Sequence, residues 1–181
     1  IPNGCDNDLF DTNDTQRLND IHFNDFVAIF AGAHGEANGL DILIPVAEEL
    51  KNREINNIKF LLIGDGKVKT SLIQKTKELN LEHIIIFYDP VNKYELAKIF
   101  QSCDIGLQIL ANVEEFYYGT SPNKFFDYIS AGLPVLNNYP GWLNDVINDN
   151  NSGIIVKPDD HLDFCEKIIN ASKSPDKLKQ M

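Results

Sequence analysis

From Phe26 onward, short apolar runs alternate with stretches whose apolar residues recur every three or four positions. The runs are FVAIFAG (26–32), KFLLIGDG (59–66), HIIIFYDP (83–90), DIGLQIL (104–110), PVLNN (134–138) and GIIVKP (153–158), each bounded by Gly, Asp or Pro. Apolar runs of this kind suit strands covered on both faces. Between them, GLDILIPVAEELKN (39–52), KVKTSLIQKTKELN (67–80), KYELAKIFQSC (93–103), SPNKFFDYISAG (121–132) and HLDFCEKIINAS (161–172) carry helical spacing. In the first, Leu40, Leu43, Ile44, Ala47 and Leu50 make one apolar stripe. Parallel neighbours need a crossover, and a helix supplies it. The pattern predicts an α/β fold, a Rossmann-like doubly wound parallel sheet of six strands. Ligands of such sheets enter at the carboxyl ends of the strands, near the point where strand order reverses, so the loops after the strands are where chemistry is expected. Residues 1–24 are polar, rich in Asn and Asp and without periodicity, and read as a linker ahead of one domain over 25–181.

Charge narrows the function. The 181 residues carry 16 basic and 27 acidic side chains, a net charge of −11. Such a chain repels nucleic acid and anionic lipid at long range. It does not exclude a local phosphate site of backbone N–H groups and one or two cations. Cys5, Cys103 and Cys165 lie far apart without a CxxC pair, which argues against a disulfide framework or zinc knuckle and fits a reducing compartment. No apolar run approaches the ~20 residues of a membrane span. The sequence starts at Ile1 with neither an initiator Met nor a signal peptide, and reads as a piece of something longer.

The first strand runs into AGAHGEANGLD (31–41), whose glycines at 32, 35 and 39 are spaced G-x-x-G-x-x-x-G. That is not the G-x-G-x-x-G of dinucleotide folds, and no acidic residue closes a second strand for the ribose of NAD. A tight turn and a ligand loop both satisfy this spacing. Gly64-Asp65-Gly66 after the second strand makes a good turn whatever its function. The most informative stretch is GTSPNKFFDYISAGLPVL (119–136). Ser121 reads as a helix N-cap and Pro122 as the first helical position. The free N–H groups there form an anion site. Lys124 falls in the first turn, an unfavourable place for a cation unless an anion lies opposite. Asp127 and Tyr128 follow at i+3 and i+4, on the same helix face. The stretch fits a diphosphate at the helix head with a carboxylate for ribose; it equally fits a routine cap with Lys124 and Asp127 as a solvated pair.

Asp6-Asn7-Asp8 copies the Asp-x-Asp of metal-dependent glycosyltransferases but sits in the irregular leader; with Asp11 it suggests a calcium loop that lacks the required glycine and glutamate. His22, His34, His83 and His161 show no metal-ligand spacing, and only His34, beside glycine in the first loop, is kept as a candidate. Cys103 and Cys165 are assigned to apolar helix faces.

IPNGCDNDLF (1–10) resembles the segment that enters the C-terminal domain of GT-B glycosyltransferases, particularly family 4. LLIGDG (61–66), IIIFYDPVNKYELAKIFQSCDIGLQI (84–109), GTSPNKFFDYISAGLPVL and NSGIIVKPDD (151–160) follow in that family's order. The family's loop Arg and Lys fall on Ala33 and Asn38, and its two acidic positions on Gly119 and Asp127, so three of the four polar positions depart. The sequence is similar to a subgroup of lipopolysaccharide and capsule transferases, the N-acetyl-L-fucosaminyltransferase-like proteins, with G-x-H-G-x-x-N-G and S-P-N-K in those places. The resemblance implies the C-terminal, nucleotide-sugar-binding half of a GT-B fold. It implies a metal-independent, retaining hexosyltransferase that takes a UDP-sugar to a glycan or lipid-linked acceptor held by an N-terminal domain outside this sequence. This chain alone would be inactive. The implied donor site draws on Gly32, His34, Gly35, Asn38 and Gly39 of the first loop and Gly64, Asp65 and Gly66 of the second. It adds Tyr88, Asp89, Pro90 and Val91, against which the base would lie, and Gly119, Thr120, Ser121, Pro122 and Asn123. Lys124 would stabilise the leaving phosphate and Asp127 hold the ribose. The implied location is cytoplasmic, at the inner face of a bacterial inner membrane, with peripheral association. A UDP-sugar epimerase of the GT-B type and a non-catalytic nucleotide- or partner-binding domain stay open as alternatives.

Overall fold

The computed structural model describes residues 4, 5, 7–10, 12 and 14–181. Six strands, β1 (Phe26–Ala31), β2 (Ile58–Ile63), β3 (Ile85–Tyr88), β4 (Ile105–Gln108), β5 (Val135–Asn137) and β6 (Gly153–Ile155), form one sheet in the order β3-β2-β1-β4-β5-β6. Every neighbouring pair is parallel. The chain steps outward from β1 through β2 to β3 and then returns to lay β4 on the other side of β1, so the order reverses between β1 and β4. This is the expected doubly wound sheet. β2, one strand in from the β3 edge, is buried throughout: all six residues are covered, Lys59 included, whose ammonium donates to the Asn56 and His83 carbonyls at 2.9 and 2.6 Å.

Helices cover both faces. One core packs α2 (Leu43–Asn52) and α8 (His161–Ser172) on the sheet through Leu50, Phe30, Phe60 and Phe164, with α3 (Lys69–Glu78) and α9 (Pro175–Leu178) at its margins. The other packs α1 (Asn7–Phe10), α4 (Lys93–Phe100), α6 (Asn123–Ser130) and α7 (Trp142–Asp149) through Phe10, Phe100, Tyr128 and Leu143. Between β4 and β5, ahead of α6, the short helix α5 (Glu114–Gly119) buries no residue of its own.

The differences from expectation are local. The helix expected from 39 opens as two 3₁₀ turns, Glu36–Asn38 and Leu40–Ile42, and becomes α-helical at Leu43. Pro45 then sits in the first turn, where its missing N–H costs nothing. The helix expected over 93–103 stops at Phe100, which leaves Cys103 in the loop before β4, whereas Cys165 is fully buried on α8. The leader is not irregular throughout: Asn7–Phe10 is a helical turn whose Phe10 stacks on Phe100. Ile1–Asn3, Asp6 and Asp11 lie outside the described residues, and with them much of the IPNG and Asp-x-Asp readings. No helix among the described residues is long and apolar enough to cross a membrane.

Candidate functional site

A cleft of about 550 Å³ opens where β1 and β2 end and α4 and α6 begin. It sits beside the reversal of strand order, and its lining is drawn from four separate segments. Gly32, Gly64 and Asp65 line it from the first two loops, Pro90 and Val91 from the third, and Pro122, Asn123, Lys124 and Asp127 from α6. Ala31, Ala33, Ile63 and Leu96 complete it.

The floor is made of backbone. A Cβ on Gly64 would fall 1.9 Å from the Gly32 carbonyl oxygen, and Gly64 has φ +148°, so only glycine lets the first two loops touch. Behind that contact, His34 N–H donates to the Asp65 carbonyl at 2.8 Å, and the His34 carbonyl accepts from Val68 N–H at 3.0 Å. A Cβ on Gly66 would meet the His34 backbone at 2.6 Å. The His34 ring is fully buried between Phe30 and Phe87 rather than in the cleft lining. Burial, helped by the positive charges of Lys69 and Lys124, pulls its pKa down to about 4 against the opposing effect of Asp65.

The roof is α6. It starts at Asn123 with Pro122 as the cap residue, one position later than expected, and no side chain caps it; Pro122 has an extended ψ of 124°, which rules it out as the first helical residue. Lys124 lies in the first turn with its ammonium 2.8 Å from Asn38 Oδ1 and 4.3 Å above the Phe30 ring centre. Asn38 is itself fixed by donating from Nδ2 to the Ala33 carbonyl at 2.8 Å. Burial alone pulls the Lys124 pKa down to about 8, and no carboxylate among the described residues offsets it. Asp127 is buried and ion-paired with Lys93 at 3.3 Å, so the anticipated Lys124–Asp127 pair is replaced by two pairs that cross to other elements. Tyr128 does not share the cleft face. Its ring fills the space left by Gly106, where a Cβ would fall 2.4 Å away, and its hydroxyl accepts from Ala31 N–H at 3.1 Å and donates to the Ile29 carbonyl at 3.2 Å. It bolts α6 to the end of β1.

Other candidates lie away from the cleft. The Tyr88 hydroxyl donates to Asp20 in the leader at 2.7 Å, and burial pushes its pKa up to about 12. Asp89 is held by Lys69 at 2.7 Å and points to solvent. Gly35 opens the first 3₁₀ turn, and Gly39, left-handed at φ +57°, brings that loop against Ala111. Gly119 ends α5; the Thr120 hydroxyl donates to the Phe116 carbonyl, while the Thr120 carbonyl accepts from Trp142 Nε1–H at 2.9 Å. Ser121, Gly119 and Thr120 therefore precede the lining rather than belong to it.

Two residues escaped the sequence reading. Lys69 donates to the Gly64 and Tyr88 carbonyls and to Asp89, tying the ends of β2 and β3 together. Lys93, behind the Asn92 cap of α4, holds Asp127. With Lys124 they are three lysines in the first turns of helices that all start at this edge, against the sense of the helix dipole. That shared anomaly was the available signal. Among the described residues, no group of three or more His, Cys, Asp or Glu side chains is placed to hold a metal.

Residues 12–181 match the family model described as glycosyl transferases group 1. An uncharacterized glycosyltransferase of Methanocaldococcus jannaschii is 25% identical over 130 residues, covering 72% of this chain and 31% of that protein. The alpha-monoglucosyldiacylglycerol synthase of Streptococcus pneumoniae is 24% identical over 120 residues, covering 66% of this chain and 25% of that protein. The crystal structure of Anabaena HepE in complex with UDP and glucose superposes with a TM-score of 0.75 at 18% identity, over 98% of this chain and 48% of that one. The chain thus spans about a third or less of the curated relatives' length, and the GT-B fold is what the solved structure shares with it.

Proposed function

The chain belongs to the glycosyl transferases group 1 family, and we propose that its cleft is the donor site of a GT-B glycosyltransferase, binding the diphosphate of a UDP-activated sugar. The observation that carries this is Lys124: a largely desolvated ammonium at a helix head, lining the cleft with, among the described residues, only the neutral Asn38 and an aromatic face as partners. An anion supplied by the ligand would complete it. The first free N–H groups of α6 add their dipoles in the same direction. When the sugar leaves, charge grows on the β-phosphate, and Lys124 with the head of α6 stabilises it there; fixed charge aimed at charge that develops in the transition state is the main catalytic resource of such a site. Asp127, presented one turn further on, takes the ribose hydroxyls, with Lys93 holding it in place. Pro90 and Val91 give the base an apolar wall. In this reading no metal takes part: Lys124 and the N–H groups at the head of α6 are what the cleft offers the diphosphate.

The finer reading is a family 4, retaining transferase of the N-acetyl-L-fucosaminyltransferase-like subgroup, acting on a glycan or lipid-linked acceptor in cell-surface polysaccharide synthesis at the cytoplasmic face of the inner membrane. What supports it is the pairing of Asn38 with Lys124, which moves the phosphate cation from the first loop to the SPNK helix. The acceptor would be held by the part of its relatives that this chain does not span.

Calorimetric titration of the chain with UDP, GDP and NAD⁺ tests the donor assignment. UDP is expected to bind, and Lys124→Ala to weaken it about 100-fold, the scale of a lost charge-assisted bond near 3 kcal/mol. Asp127→Asn weakens UDP but not pyrophosphate. UDP binding unchanged in both variants would remove this site from the cleft; selective NAD⁺ binding would overturn the donor class.

A further inference from the structure

The head of α6 needs support that α6 does not supply. No side chain caps it, and the chain enters it extended, with ψ 139° at Thr120 and 124° at Pro122. The helix before it, α5, buries no residue and so cannot anchor the junction from the other side. Yet Lys124 and the first N–H groups of α6 can meet one ligand together only if this head keeps a fixed place over the floor of the cleft.

The turn between β5 and α7 supplies the support. Trp142, the first residue of α7, donates from Nε1 to the Thr120 carbonyl at 2.9 Å. Its ring stands edge-on to that of Phe125, in the first turn of α6, at 6.3 Å and 82°. One side chain thus touches the chain on both sides of Ser121-Pro122. Beside it Gly141 has φ +118°, and a Cβ there would fall 1.9 Å from the Tyr117 carbonyl oxygen, so the turn also lies flat against α5. The turn is in its own right tied to the sheet. Gln108 Nε2 donates to the Tyr139 hydroxyl at 3.1 Å, and Asn137 Nδ2 donates to the Tyr139 carbonyl and to Asn144 Oδ1, both at 2.6 Å. Gln108 and Asn137 are fully buried neighbours on β4 and β5, and each leaves its amide oxygen unpaired among the described residues. Apolar residues would pack there without that cost, so the two amides serve the turn they hold rather than the core. Trp142 is not among the residues that line the cleft, so its influence on a ligand passes through α6.

We propose that Trp142 is a positioning residue for the donor's diphosphate: tied through the 139–142 turn to the ends of β4 and β5, its indole N–H holds the Thr120 carbonyl and so sets where the head of α6 meets the ligand. The inference rests on the donor reading above. It reaches only the phosphate end of the donor, because Asp127 and Tyr128, further along α6, are held separately by Lys93 and β1.

Trp142→Phe keeps an aromatic edge toward Phe125 but cannot donate. It is expected to bind UDP and inorganic pyrophosphate about 10-fold more weakly, the range of one hydrogen bond, and uridine as the parent does. Coupling between two interactions is reciprocal, so pyrophosphate must in turn strengthen the Trp142–Thr120 bond. The chain has one tryptophan, so its indole N–H gives a single signal of its kind in the ¹H–¹⁵N spectrum. Saturating pyrophosphate is expected to slow the exchange of that proton with water by about the same factor of 10, and uridine to leave it unchanged. Pyrophosphate affinity unaltered in Trp142→Phe, uridine weakened as much as pyrophosphate, or an indole exchange rate indifferent to pyrophosphate would overturn the proposal. If Trp142→Phe does not fold, the exchange rate in the parent decides alone. Loss of UDP binding in Lys124→Ala, with an indole that pyrophosphate leaves unmoved in the parent, removes this inference and keeps the donor site. A parent that binds neither UDP nor pyrophosphate removes both.

Discussion

The two sides of the cleft are built from different material. On the β1–β2–β3 side the wall is main chain against main chain: Gly32 on Gly64, Gly66 on His34, and the Lys69 ammonium stitching the Gly64 and Tyr88 carbonyls. On the α5–α6 side it is held by side chains. Trp142 reaches the Thr120 carbonyl, Lys124 reaches Asn38, and α5 contributes nothing to the core. Main-chain contact without room for a Cβ has no means of adjusting, which suits a group of one fixed shape such as a diphosphate. The cleft-facing side chains of α6 can change without disturbing those main-chain contacts, because Phe125 and Tyr128 on the helix's other face keep it anchored in the core, and this suits the part of a donor that differs between family members.

The contrast can be broken from either side. Gly64→Ala has the largest expected effect: a Cβ 1.9 Å from the Gly32 oxygen at φ +148° combines overpacking with a disallowed backbone, about 3 kcal/mol, read as a lower urea midpoint with UDP binding lost. Next is pH. Lys124 has a folded pKa of about 8, below the ordinary lysine value. Its charged form is disfavoured in the fold, so stability is lowest below pH 8 and rises as pH climbs from 8 toward the unfolded lysine range. UDP needs the charged form, so affinity falls over the same interval, by up to about tenfold per pH unit. Calorimetry and thermal melts from pH 7 to 10 should therefore move in opposite directions. The smallest effect is Gly119→Ala: nothing lies within 4 Å of the added Cβ, so urea unfolding should change by less than about 0.5 kcal/mol.

The sheet was legible because its strands are buried on both faces and so carry continuous apolar runs, which periodicity detects without tertiary knowledge. α7 could have been read as well, since Leu143, Val146 and Ile147 keep helical spacing, but the Asn and Asp around them mimic a loop. α5 could not, because a helix with no buried residue leaves no apolar stripe. In the cleft, the glycines and the lysine at a helix head announced themselves through local rules. Their partners did not. That Lys124 meets Asn38, that Asp127 meets Lys93, and that Tyr128 turns inward onto Gly106 all depend on which strands become neighbours at the reversal, information held by pairs of residues 22 to 86 positions apart. His34 was picked out for standing beside glycine, yet its burial came from Phe87, a residue of β3.

Of the three lysines at the helix heads, Lys69 and Lys93 are already answered by Asp89 and Asp127, so Lys124 alone meets an arriving anion. That anion first approaches a body of net charge −11. Only within roughly a Debye length, ~8 Å at physiological ionic strength, can Lys124 and the head of α6 outweigh it. Added salt, which slows most electrostatically steered association, should at first quicken this one by thinning the outer repulsion, and slow it only when Lys124 itself is screened.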